Sequence, residues 1–125
     1  MATARTPEQR QHMHDVADAI ETHENRFDMT VFSEHRPECG TVMCIAGWSD
    51  HLLGRSTERV RTSVAAAVMG LSQSDAVDLF CYSGVHASLR MPKHLRAKGM
   101  ADAVRQIADG ATVRNALKDV AERYV

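Results

Sequence analysis

Met13, Val16, Ala17 and Ile20 fall at i, i+3, i+4 and i+7, which puts them on one face of a helix. Its start is marked by Thr6-Pro7-Glu8-Gln9: Thr6 can cap, Pro7 suits the first helical position, and Gln9 completes a capping box. The pattern predicts a helix from Pro7 to near Glu24. Phe27, Met29 and Val31 then alternate over too short a run to form a sheet alone. That stretch reads as an extended or one-turn connector that inserts Phe27 and Phe32 into the core. Ser33 to Gly40 reads as a polar loop holding Pro37.

A second helix is expected from about Thr41, with Ile45, Trp48 and Leu52 along one face and a stop at Gly54. Ser56 or Thr57 caps a third, whose Val60, Val64 and Val68 recur every fourth residue up to Gly70. Ser72-Gln73-Ser74-Asp75 opens a fourth, with Ala76, Val77, Leu79 and Phe80 inward. Ser83 to Pro92 has no apolar period and is expected to be a loop. A fifth helix starts between Lys93 and Met100 and runs to Asp109, carrying Met100, Val104 and Ile107. Gly110 ends it, and Thr112 caps a last helix buried through Val113, Ala116, Leu117, Val120 and Tyr124. The expectation is an all-α, compact five- or six-helix single domain over 1–125, with residues 1–5 disordered.

Composition strengthens that picture. The chain has 125 residues, 44% of them apolar, with 17 alanines and only three prolines. Alanine is the best helix former and lets helix backbones approach closely. A net charge of −1 argues against a strongly basic nucleic-acid binder. No apolar run approaches the ~18 residues of a membrane span, and MATARTPEQR lacks the apolar core of a secretory signal. The expected compartment is the cytoplasm, with no cofactor and no membrane contact. Three cysteines, an odd number, are expected to be reduced there.

Charge is uneven along the chain. No acidic residue lies between Asp78 and Asp102, where Arg90, Lys93, Arg96 and Lys98 join His86 and His94. Val85, Leu89, Met91 and Leu95 are interleaved with them, giving apolar anchors beside positive charge. The stretch from His86 to Lys98 is therefore the expected surface for a protein partner, with Leu89 and Met91 as the residues through which two copies would form a homodimer. Nucleic acid is disfavoured, because the patch lacks interleaved aromatic residues on which bases stack.

The densest chemistry lies in Glu38-Cys39-Gly40-Thr41-Val42-Met43-Cys44-Ile45-Ala46-Gly47-Trp48. In the preferred reading Cys44, Ile45 and Trp48 are core residues, since free cysteines behave as small hydrophobes. In a second, Cys39 is a nucleophile ahead of a helix N-terminus, with His86 as its base, making the protein a thiol hydrolase. The Cys-Gly-x-x-x-Cys-Ile-Ala string loosely resembles the active-site helix of papain-like peptidases, although the second cysteine falls one residue late. In a third, His35, Cys39 and Cys44 bind zinc. A fourth ligand at His51 would lie ~10 Å along a helix from Cys44, too far to share the ion.

Taken together, Cys39-Gly40-Thr41-x-x-Cys44-Ile45-Ala46-Gly47-Trp48, then Gly70-Leu71-Ser72, Leu79-Phe80, Pro92 and Ile107-Ala108-Asp109-Gly110, resemble a family of small proteins encoded by actinobacteria and their phages. The resemblance covers about residues 15–110. It implies a fold and a genomic setting but no reaction. In that setting the expected role is a regulatory module that binds a host protein, not an enzyme.

Overall fold

A computed structural model describes residues 5–30, 33–36, 40–55 and 62–125, with the backbone alone for 33–36 and 40–42. The first helix, α1 (Pro7–Thr22), begins as its capping box requires. The Thr6 hydroxyl accepts from the Gln9 N–H at 3.1 Å, and Gln9 Oε1 accepts from the Thr6 N–H at 2.9 Å. Met13, Val16, Ala17 and Ile20 are its buried face. The disorder expected for residues 1–5 does not extend to Arg5. Its guanidinium donates to the carbonyls of Met69 at 2.9 Å and Ile107 at 3.1 Å, and residues 1–4 lie outside the described residues.

After a single 3-10 turn at Glu24–Arg26, Phe27 and Met29 turn inward as the connector reading expects, while Phe32 lies outside the described residues. The expected loop and helix start that follow are instead a hairpin. Strand β1 (Ser33–Arg36) pairs antiparallel with β2 (Gly40–Met43), Ser33 opposite Met43 and Arg36 opposite Gly40. Thr41 is thus committed to a ladder, and α2 (Ile45–Leu52) starts four residues later, with Cys44 as an extended N-cap residue. Phe27 bridges Met43 on the other side, and the Asp28 N–H donates to the Met43 carbonyl at 3.1 Å.

Ile45 to Asp50 of α2 are all buried, but Leu52 is exposed. In α3 (Thr62–Met69) the buried positions are Ala65, Ala66 and Met69, whereas Val64 and Val68 are only half-buried. Val60 and the expected caps Ser56 and Thr57 lie outside the described residues. Helix α4 (Gln73–Phe80) is capped by Ser72, whose hydroxyl accepts from the Asp75 N–H at 3.1 Å. It buries Ala76, Leu79 and Phe80 and leaves Val77 exposed.

The main departure from the sequence reading is α5 (Tyr82–Arg90), a helix where a loop is expected. Its buried residues are Gly84, Ala87 and Ser88, which share a helical face but are too small and polar to register as an apolar period. A 3-10 turn at Lys93–Leu95 leads into α6 (Arg96–Ala108), and Thr112 caps α7 (Val113–Arg123) by accepting from the Asn115 N–H at 3.1 Å. Helices α1 and α6 form the most extensive pair, α7 lies on α6, and α5 lies on α7. The chain is an all-α domain around one core cluster, with the hairpin and α5 as additions to the expected plan. Gly54, Gly70 and Gly110 all take positive φ where helix stops are expected. Among the described residues no single helix is long and apolar enough to cross a membrane.

Candidate binding groove between helices α5 and α7

The residues expected to form one patch from His86 to Lys98 do not share one surface. Met91 is buried in the core at 1% exposure, packed where a side chain on Gly99 would stand. It is therefore not a surface anchor, and the homodimer reading loses one of its two contacts. Arg96 turns back on the chain, its Nε donating to the carbonyls of Ser88 at 3.1 Å and Met91 at 3.2 Å, where it ties the end of α5 to the start of α6. Leu89, Lys93 and His94 face a cleft of about 570 Å³ whose other wall includes Glu24, Asn25, Asp28 and Met29. Lys98 is exposed and lines neither cleft.

His86 and Arg90 face a different groove, of about 550 Å³, between α5 and α7. Its walls carry Arg90 and His86 from α5 and Arg114 and Lys118 from α7, with Ala87, Leu117 and Ala121 as the apolar lining. Tyr82, 77% exposed, stands beside it, and Asp78 supplies the one carboxylate of the lining. Among the described residues Arg90, Arg114 and Lys118 form no ion pair, although most other arginines are engaged. Arg10 pairs with Asp109 at 2.8 Å, and Arg105 spans Asp18 and Glu21 of α1 at 2.7 Å each. Arg123 joins Asp102 and Asp119. Burial alone would raise the Asp102 carboxyl, but hydrogen bonds from Tyr124, Gln106 and Arg123 together hold it below its ordinary value.

Arg114 and Lys118 were not among the residues singled out from the sequence. They sit four apart on the polar face of α7, a common arrangement that gains meaning only once α5 is known to lie alongside.

The Cys39–Trp48 segment builds the core where the structure describes it. Trp48 is 1% exposed; its Nε1 donates to the Arg26 carbonyl at 3.1 Å, and its ring stacks on His23 at 5.5 Å. The Arg26 guanidinium lies 5.2 Å from the Trp48 ring centre, and His51 meets the ring edge-on. Cys44 is buried, and that burial raises its thiol above its ordinary pKa, which opposes the thiolate that a nucleophile or zinc ligand requires. Cys39 lies outside the described residues, and His35 is placed only as a backbone position opposite Thr41 in the hairpin. His86, the base proposed for Cys39, is on the exposed face of α5 at the groove. No group of three His, Cys, Asp or Glu side chains is gathered for a metal among the described residues.

One side-chain pair of chemical interest was not anticipated. His12 Nε2 lies 2.7 Å from Ser49 Oγ, the spacing of a base and a hydroxyl nucleophile. Ser49 is fully buried between α1 and α2, so no substrate reaches its oxygen, and the pair serves to join the two helices. The adjoining Asp50 is 1% exposed, with the Arg55 guanidinium 3.8 Å from its carboxylate. Comparison with protein-family models, curated proteins and solved structures finds no match to this chain.

Proposed function

We propose that the protein is a small cytoplasmic regulatory module that binds another protein through the α5–α7 groove. In the actinobacterial and phage setting that its motif suggests, the partner is a host protein. The observation that carries this reading is the set of cations around an apolar floor: Arg90, Arg114 and Lys118 form no ion pair among the described residues, and Asp78 is the one carboxylate in the lining. Arginine beside apolar surface is the composition enriched at the energetic centres of protein interfaces. The other arginines whose side chains are described are engaged by carboxylates, backbone carbonyls or the Trp48 ring, so the groove stands apart in leaving Arg90 and Arg114 uncommitted.

The test compares wild-type protein with Arg90→Glu combined with Lys118→Glu, and with Lys93→Glu on the other cleft as a control. Bait immobilised in an actinobacterial extract should retain a partner in the wild-type and control forms and lose it in the double variant, while circular dichroism of all three is unchanged. Equal retention by the groove variant would remove the groove from consideration.

A further inference from the structure

We infer that the occupant of the α5–α7 groove is an acidic peptide segment of the partner, carrying at least one apolar anchor side chain. The inference rests on the groove being the docking surface and adds the chemistry that surface selects.

His86 and Arg90 lie one helical turn apart on α5, and Arg114 and Lys118 one turn apart on α7, so each wall presents two basic positions about 6 Å apart. Between them Ala87, Leu117 and Ala121 are nearly dry, at about 4–5% exposure. A partner that covers the groove removes water from the fixed cations Arg90, Arg114 and Lys118. A neutral or basic segment would leave them desolvated without compensation, whereas carboxylates on both flanks replace the lost hydration with charge-assisted bonds. The apolar floor then takes a side chain between the two rows, and a volume of about 550 Å³ accommodates a large aliphatic or aromatic group.

A nucleic acid is the other polyanion to weigh, and the groove suits it less. A phosphate backbone calls for a continuous basic track with several stacking rings. Here Lys93, Arg96 and Lys98 lie off the groove, and Tyr82 is the lone Phe, Tyr or Trp in its lining. The apolar floor would also go unused by phosphates.

Random-peptide display against the immobilised full chain tests this, with the Arg90→Glu, Lys118→Glu form used for comparison and Arg114→Gln as a milder second variant should the first fail to fold. A short fluorescent single-stranded DNA serves as the competing polyanion. Enriched peptides should carry two or more Asp or Glu around an aliphatic or aromatic residue. They should bind the double variant at least about tenfold more weakly, and wild-type affinity should fall as salt rises. Neutral or basic peptides that still lose binding to the double variant would overturn the acidic assignment and leave the groove reading standing. Peptides indifferent to every groove substitution, or no enrichment at all, would overturn both. DNA binding more tightly than any peptide, with the same loss in the variants, would reassign the groove to nucleic acid.

Discussion

Gly84→Ala should destabilise the protein although it replaces the poorer helix former by the best one. Gly84 lies in the first turn of α5, just past the corner at Cys81 where α4 ends with φ −119° and ψ −88°. The corner folds α5 back so that a methyl group on Gly84 would overlap the Leu79 carbonyl oxygen and sit 2.7 Å from its carbon. Those are backbone atoms of α4, not the end of a flexible side chain, and the Met29 methyl closes the site from another side at 3.2 Å. Helix propensity alone would favour alanine by about 1 kcal/mol. Overpacking against atoms that cannot rotate away sits at the upper end of its usual range, about 3 kcal/mol. The net loss is therefore about 2 kcal/mol, or roughly 8 °C in the unfolding midpoint for a domain of this size. Urea denaturation followed by circular dichroism, with thermal melting as a second measure, reads both quantities. A Gly84→Ala protein as stable as wild type, or more stable, would refute the close approach of α4 and α5 and with it the placement of α5 beside the groove.

Other outcomes follow from the buried chemistry. Cys44, buried and with its thiol pushed up by that burial, should resist alkylation at neutral pH while half-buried Cys81 reacts first; peptide mass after timed labelling reads the two rates, and equal rates would contradict the core position of Cys44. His12 should make folding sensitive to mild acid. Burial lowers its pKa from the ordinary 6.5, against the opposing pull of Asp15 and Asp50, so below about that pH the unfolded chain takes up a proton that the folded chain resists. Stability should fall as pH drops through that window, and His12→Gln should flatten that part of the curve; an unchanged slope would refute it.

The helix ends and the amphipathic faces were legible locally because their signals are local. Thr6 with Gln9, Ser72 with Asp75 and Thr112 with Asn115 close hydrogen bonds within three residues, so residue type and spacing suffice to place them. The buried stripes of α1 and α7 were legible for the same reason, apolar side chains at helical spacing, although Tyr124, expected in the second stripe, caps the end of α7 and is only half-buried. Leu52 and Val77 show the limit of that logic, since an apolar residue on the expected face is still exposed where no neighbouring element covers it.

What only the tertiary structure decided depends on residues distant in the chain. Helix α5 forms without an apolar stripe because Gly84, Ala87 and Ser88 let it pack closely, a property of the surface it meets and not of its own hydropathy. Thr41 joins a strand because residues 33–36 pair with it, outweighing the helical pattern that follows. The candidate site divides the same way. His86 and Arg90 were recognisable as part of a basic stretch, but that stretch is not one surface, because Met91 is drawn into the core and Arg96 is held by two carbonyls. Arg114 and Lys118 join His86 and Arg90 only because α5 lies on α7, bringing together charges more than 20 positions apart that no local pattern relates.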